Sequence, residues 1–231
     1  MTIAMKIKNY FEDWSKFEIS WLVISTVVMI GLSVAWGDNL MALISGITGV
    51  IGVVLCAKGK ISTYFFATIN VTLYAYICWG NNLYGEVMLN SLYFLPMNVV
   101  GFLLWRKNKG DSGDIICRKL TPKQIGMMIS GLTIAVFIYW KFLVYLGGNL
   151  ALIDAMTTIV SVVALILQVT RYAEQWLLWI VVNITSIIMW ILLLGSDTSA
   201  VTMVVMWGAY LLNSIYGYYN WVKLSKEEAI A

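Results

Sequence analysis

The chain has 231 residues, of which 61% are hydrophobic and only 12% are charged. Soluble domains carry roughly a quarter charged residues, so the composition excludes a soluble domain and predicts a polytopic membrane protein. The formal net charge is only +3, and its basic residues are dispersed among loops, which excludes a nucleic-acid-binding surface.

Long apolar segments follow one another along most of the chain. Residues 1–18 mix lysines with acidic residues and form a predicted cytoplasmic leader, and residues 222–231 form a charged cytoplasmic tail. Each apolar segment is about long enough to cross a bilayer core as a helix. We therefore predict an all-α integral membrane protein with eight transmembrane helices. The segments lie near residues 19–36, 40–57, 62–79, 84–105, 122–146, 150–170, 175–194 and 199–221.

The positions of the basic residues predict the orientation of these helices. Of the fifteen Lys and Arg residues, all but Lys141 lie in the leader, the tail or alternate loops. The intervening turns, near residues 37–39, 80–83, 147–149 and 195–198, contain no Lys or Arg. Because basic loops stay on the cytoplasmic side, the pattern predicts eight spans with both termini in the cytoplasm.

A weak internal repeat divides the chain. Residues 40–105 and residues 150–221 each hold three segments, and the segment at 122–146 links them. Residues 19–36 then form an extra N-terminal helix. Since the linker helix restores the direction, the two repeats are parallel and related by an axis along the membrane normal, with a solute path between them. The corresponding residues are Gly101 and Gly217, Trp105 and Trp221, Asn70 and Asn183, and Asn98 and Asn213.

The seventh segment, residues 175–194, carries aromatic and polar side chains on one helix face. At helical spacing this face holds Trp176, Trp179, Asn183, Ser186 and Trp190. An amide at mid-membrane depth must find a partner, a cavity or a ligand. The face therefore suits an aromatic solute with hydroxyl groups. The same residues also fit interfacial tryptophans with Asn183 as an interhelical hydrogen bond, and the sequence leaves both interpretations open.

Few ionisable residues lie within the apolar segments. Glu86 and Asp154 are each in the first turn of a segment on the predicted outer side. Lys141 is about as far before the turn at residues 147–149 as Asp154 is after it, so we predict a Lys141–Asp154 ion pair, with Lys141 reaching the outer surface as the alternative. Neither carboxylate is central, which favours a uniporter over an ion-coupled symporter.

Other function classes fit the sequence poorly. The chain has no histidine and none of the common metalloprotease, phosphate-loop or nucleophile-elbow motifs, which argues against an enzyme and against a resident metal or cofactor. A channel would need a ring-like polar filter, which two asparagine-bearing halves do not provide. A transporter of a neutral or cationic nucleoside-like solute is the best fit.

The Trp176, Trp179 and Asn183 spacing, on three helices, one linker and three helices, resembles the PnuC family of vitamin transporters. The resemblance covers residues 19–222 and is nearest to the nicotinamide riboside members. It implies a SWEET-like fold with an extra N-terminal helix, in a bacterial inner membrane. It further implies facilitated diffusion with trapping by phosphorylation, hence a link to a cytoplasmic riboside kinase, and a homotrimer. Thiamine, riboflavin or sugar transport are the alternatives.

By that resemblance Trp179 and Asn183 contact the solute. The residues themselves suit it, because an indole face attracts a cationic ring and amides bond hydroxyls. No Arg lies in any predicted span, so the mononucleotide should be rejected. Gln168, at the cytoplasmic end of its segment, is a candidate inner-gate group. The remaining candidate contacts are Asn213, Asn70, Asn98, Trp176, Trp190, Tyr93 and Tyr210.

Overall fold

A computed structural model describes residues 14–37, 39–81, 84–108, 116–145, 151–195 and 200–227. Within these ranges the chain is helical, and the only β-type pairing is an isolated parallel bridge between Arg118 and Tyr172. The helices are α1 (Lys16–Trp36), α2 (Leu40–Ala57), α3 (Thr63–Gly80), α4 (Tyr84–Met88), a π-helical segment (Leu89–Phe94), α5 (Leu95–Lys107), α6 (Pro122–Tyr145), α7 (Ala151–Val169), α8 (Gln175–Leu192) and α9 (Ala200–Glu227).

The helices agree closely with the apolar segments of the sequence, and the differences have local causes. The helix α1 begins inside the expected leader, because Ser15 and Glu18 form a reciprocal capping box. It ends at Gly37, whose φ of 63° lies in the left-handed region that glycine tolerates best. The helix α9 continues to Glu227, into the expected tail, because nothing in that stretch breaks a helix.

The predicted all-α architecture is confirmed, and seven of the eight predicted spans correspond to helices of the described residues that are long and apolar enough to cross a membrane. The helix α3 is not among them, although it is as long as α2, with 18 residues. It carries Asn70 and several tyrosine and threonine residues, which lower its mean hydropathy. Of these polar side chains, Thr63, Tyr64 and Tyr74 are buried within the protein, whereas Thr72 and Tyr76 are exposed.

Two groups of helices pack against each other to form the core. In the first half (α2–α5), α3 packs on α2, on the π-helical segment and on α5. In the second half (α7–α9), α8 packs between α7 and α9, and α9 also packs on α2 of the first half. The linker helix α6 packs on α7 and has no buried residue. Many of its exposed side chains are apolar, as expected for a surface that faces lipid.

The π-helical segment widens the turns of the chain between α4 and α5. The backbone N–H of Leu95 donates to the Asn90 carbonyl, five residues back. Pro96 follows immediately, and its missing N–H removes one of the hydrogen bonds that would otherwise favour a regular α-helix. Such segments are rare and occur frequently at functional sites.

Matching contacts cross between the two halves at the end where α2, α5 and α7 terminate. The indole of Trp105 donates to the Gln168 carbonyl at 3.2 Å. The indole of Trp221 donates to the Cys56 carbonyl at 3.1 Å. Each half therefore attaches its last helix to the first helix of the other half. These contacts support the three-helix repeat, whose division of the chain stays a prediction.

The N-terminal helix is held by a buried ionic group, here called the Glu18 cluster (Ser15, Glu18, Lys58 and Tyr216). Lys58 Nζ lies 2.9 Å from Glu18 Oε2, and the Tyr216 hydroxyl donates to Glu18 Oε1 at 2.6 Å. The Ser15 backbone N–H donates to the same carboxylate. The cluster thus joins α1 to the α2–α3 turn and to α9.

The predicted Lys141–Asp154 ion pair is wrong. The Lys58–Glu18 pair is the one salt bridge within the described part of the chain. Lys141 is exposed, and its Nζ lies 4.2 Å from the centroid of the Trp140 ring. Asp154 instead accepts a hydrogen bond from the Thr158 hydroxyl, one turn along its own helix. Equal distance from a turn fixes depth in the membrane, but it does not fix which way two side chains point.

Candidate functional site

A cavity lies between the two halves and is lined by residues of both. Seven of the ten side chains that the sequence singled out contribute to its wall. They are Asn70, Asn98, Gln168, Trp176, Trp179, Asn183 and Tyr210. The halves thus bring indoles, amides and a phenol together around one space.

The other three candidates lie outside the cavity lining, and each one makes a contact between helices. The Asn213 amide donates to the Val53 carbonyl at 2.9 Å. The Tyr93 hydroxyl donates to the Val162 carbonyl at 2.8 Å. The Trp190 indole is fully buried and donates to the Tyr74 hydroxyl at 3.0 Å. For these three residues the interpretation as interhelical contacts is the better one.

The central pair of α8, Trp179 and Asn183, presents one aromatic and one amide group to the cavity. Trp179 is half-buried, and its ring meets Phe94 edge-on with centroids 6.2 Å apart. The Asn183 amide donates to the Ser214 hydroxyl at 2.9 Å, and that hydroxyl donates to the Tyr210 carbonyl. This chain of hydrogen bonds fixes the orientation of the amide group before any solute arrives.

The corresponding amide of the first half, Asn70, is held in a similar way. Its Nδ2 donates to the Ser45 carbonyl at 2.8 Å. The Tyr210 hydroxyl and the Asn70 amide both lie against Gly49, at positions that a larger side chain would occupy. The absence of a side chain at residue 49 therefore lets polar groups of α3 and α9 reach the cavity together.

A cluster of four aromatic rings supports the cavity at the end where α8 begins. The four-ring cluster consists of Tyr64, Trp105, Trp176 and Trp221, with neighbouring ring centroids 5.0, 5.8 and 6.0 Å apart. Of these, Trp176 also lines the cavity.

Several lining residues were missed by sequence reasoning. Tyr74 follows Asn70 by one helical turn and Trp207 precedes Tyr210 by one turn, so helical periodicity was a signal that could have found them. Glu86 also lines the cavity, and no sequence signal could have placed it there, because its direction depends on the π-helical segment that follows it.

The charge of the lining limits what the cavity can hold. Among its described residues there is one carboxylate, Glu86, and no Lys or Arg. A buried anionic solute would need a cationic or metal partner that this lining does not offer. Rings, amides and one carboxylate suit an uncharged or cationic aromatic solute.

Comparison with known proteins identifies the family. A sequence profile described as nicotinamide mononucleotide transporter matches residues 39–223. The chain is 41% identical to the nicotinamide riboside transporter PnuC of Haemophilus influenzae, over 98% of this chain and 99% of that protein. This chain belongs to the PnuC family of transporters. The PnuC relative of Neisseria mucosa is 36% identical over 99% of this chain and 89% of its own length.

The fold agrees with a solved structure of the same family. The crystal structure of a vitamin B3 transporter PnuC superimposes with a TM-score of 0.87, at 36% identity, covering 98% of this chain and 99% of that one. The resemblance stated from the Trp and Asn spacing of α8 is therefore confirmed at the level of the family and of the fold.

Proposed function

We propose that this chain transports nicotinamide riboside across the bacterial inner membrane. The observation that carries the proposal is the cavity between the halves, which combines Trp179 and Asn183 with further amides and holds no described Lys or Arg. The names of the PnuC relatives of Haemophilus influenzae and Neisseria mucosa support the choice of solute.

The chemistry of the solute matches the lining. Nicotinamide riboside joins a cationic pyridinium ring and a carboxamide to a ribose. A desolvated cation over an indole face gains about 2 kcal/mol. The Asn183 and Asn70 amides have acceptor oxygens to offer to hydroxyl groups, since their NH₂ groups already donate to Ser214 and Ser45.

The riboside fits better than the mononucleotide named in the family profile. The mononucleotide adds a phosphate with two or nearly two negative charges, and phosphate sites in proteins use Arg, Lys, metal ions or helix N-termini. Glu86 would repel such a group inside the cavity. We therefore propose that the phosphate is excluded on the way in and that phosphorylation by a cytoplasmic riboside kinase traps the solute.

The transport cycle and the assembly that we propose are those implied by the resemblance to the PnuC family. Transport is facilitated diffusion by a uniporter, through eight spans with both termini in the cytoplasm. The assembly is a homotrimer, embedded in the lipid bilayer through its exposed apolar helix faces. The basic loops of alternate turns support the orientation. The exposed apolar surface of α6 supports burial against lipid or a second copy.

Counterflow in liposomes tests the proposal directly. Purified protein is reconstituted with unlabelled nicotinamide riboside inside and labelled riboside outside, with no ion gradient. We expect accumulation in the wild type, and at least a tenfold loss in Trp179→Ala and in Asn183→Ala, because each change removes a group from the lining. Matched controls outside the cavity are Trp140→Ala and Asn108→Ala, which should transport normally.

Competing solutes distinguish the alternative substrates, and an imposed sodium or proton gradient distinguishes uniport from ion-coupled transport. Excess thiamine, riboflavin or nicotinamide mononucleotide should leave labelled riboside counterflow unchanged. Retained transport in both the Trp179→Ala and the Asn183→Ala protein would reject the site, and accumulation that requires a sodium or proton gradient would reject uniport.

A further inference from the structure

The strongest unexplained feature of the cavity is the Glu86 carboxylate. Glu86 is only 6% exposed, and it lines the cavity near the start of α4. Its Oε2 lies 3.5 Å from the Asn90 amide, and the Thr157 hydroxyl of α7 is also within reach of it. No Lys or Arg pairs with it in the described ranges, where Lys58 and Glu18 form the one salt bridge.

A second carboxylate reinforces the negative charge at this end of the cavity. Asp154, on the first turns of α7, is near enough to Glu86 for the two to interact electrostatically. Asp154 is half-buried and takes a hydrogen bond from Thr158 rather than from a basic residue. Two acidic side chains, and no described basic one, therefore lie near the end of the cavity opposite the four-ring cluster.

Two further polar groups in the same wall lack partners. The Ser186 hydroxyl and the Trp207 indole N–H are both buried, and neither makes a hydrogen bond within the protein. Both residues line the cavity. Buried polar groups in native proteins are nearly always bonded, so these two groups in the cavity lining indicate that a solute or water completes their hydrogen bonds.

The buried carboxylate of Glu86 determines which charge on a solute suits this part of the lining. A buried carboxylate without a cation costs several kcal/mol, and proteins normally pair it or bind a cation to it. Phe94, which contacts the Trp179 ring, follows Glu86 by eight residues, which is at most about 12 Å along the helix. At an effective dielectric constant of about 20, a unit charge at roughly 10 Å still changes affinity by about tenfold.

We propose that Glu86, assisted by Asp154, is a specificity-determining residue that selects for positive charge on the solute. The inference rests on the proposed function and adds to it the reason for choosing a cationic riboside over a neutral one. The carboxylate acts through its field within the low-dielectric cavity, while the ring and ribose are recognised by the indole and amide groups.

The test compares two ribosides that differ mainly in charge. Oxidised nicotinamide riboside is a cation, and its reduced dihydro form is neutral with the same carboxamide and ribose. Binding to detergent-solubilised protein is measured by calorimetry for the wild type, Glu86→Gln and Asp154→Asn. We expect the wild type to favour the cation. Glu86→Gln should weaken cation binding by about tenfold and change neutral binding less than twofold. Asp154→Asn should act in the same direction to a smaller extent.

A matched control removes a buried carboxylate elsewhere. Glu174 is buried outside the cavity, where Oε2 accepts the Leu120 backbone N–H, so Glu174→Gln should leave the cation-to-neutral ratio unchanged. An unchanged ratio in Glu86→Gln would overturn the inference. If that variant does not fold, an unchanged ratio in Asp154→Asn overturns it instead. If the wild type binds neither riboside, the proposed function itself fails, which is a separate outcome.

Discussion

Two glycines make the four-ring cluster possible. A Cβ on Gly217 would lie 2.6 Å from the Trp176 ring, and a Cβ on Gly101 would collide with the Tyr64 ring. Both rings are almost wholly buried, and each also packs against the tryptophan one turn after the glycine. Any side chain at residue 101 or 217 must therefore displace a ring that has little room to move.

We expect Gly101→Ala and Gly217→Ala each to destabilise the protein by roughly 1–3 kcal/mol, the usual cost of overpacking a filled site. Thermal unfolding in detergent measures this. Gly131→Ala is the matched control, because Gly131 is exposed on α6 with no atom within 4 Å of the added Cβ. That change should be neutral or slightly stabilising, and a similar melting temperature for all three variants would contradict the packing argument.

Single residues also show how far spacing alone identifies a site. Trp176, Trp179 and Asn183 of the stripe on α8 all line the cavity, because helical periodicity fixes which side chains share a face. Trp190 of the same stripe lies two turns beyond Asn183, outside the lining, and bonds to Tyr74 of another helix. Helical periodicity predicts which side chains of one helix share a face, but the neighbouring helices determine how far along that face the cavity extends.

At the scale of whole elements, the π-helical segment helps to explain how Glu86, which was not among the predicted site residues, lines the cavity. Glu86, Asn90, Phe94 and Asn98 all line the cavity at steps of four residues. In a regular α-helix each such step turns about 40° past a full turn, so the four would drift by about 120°. The wider turns of the π-helical segment reduce that drift. No pattern in the sequence predicted this π-helical segment.

The Glu18 cluster gives α1 a measurable role in stability. Lys58→Met leaves Glu18 buried without its cation, and we expect a loss of roughly 3 kcal/mol in the free energy of unfolding. Glu18→Gln together with Lys58→Met should cost less than the sum of the two single changes, because the double variant leaves no buried charge unpaired. A thermal or denaturant melt of all three proteins completes the cycle.

An exposed lysine supplies the comparison for this cycle. Lys123→Met, on the first turn of α6, should stay within about 0.5 kcal/mol of the wild type. Strict additivity of the Glu18→Gln and Lys58→Met effects would show that the two side chains do not interact energetically, despite their 2.9 Å separation.

At the scale of the whole molecule, most of the helical arrangement could be predicted because each helix must satisfy its backbone within the bilayer. Apolar length gave the helix positions, and α2 begins and ends where the sequence indicated. The relation between helices was harder to predict. The Lys141–Asp154 pair failed for this reason, since the sequence gives depth but not the rotation of α6 and α7 about their axes.

The predicted orientation can be checked by cysteine labelling. The three native cysteines are all buried, so they should react slowly. Gly195→Cys lies in an exposed turn without basic residues, and Lys107→Cys lies at the exposed last residue of α5, where the basic loop begins. A membrane-impermeant maleimide added to intact spheroplasts should label Gly195→Cys at once and Lys107→Cys only after permeabilisation. The reverse pattern would place both termini outside.

The Glu18 cluster also bears on how the chain is made. Glu18 and Lys58 leave the ribosome well before Tyr216, which lies on α9, after the other helices that the structure describes. Before α9 is made, Glu18 can therefore bond only to Lys58 and Ser15, and α1 can pack on α2 but not yet on α9. Nascent chains cut short before α9 should keep α1 loosely attached and become preferred substrates for membrane quality-control proteases.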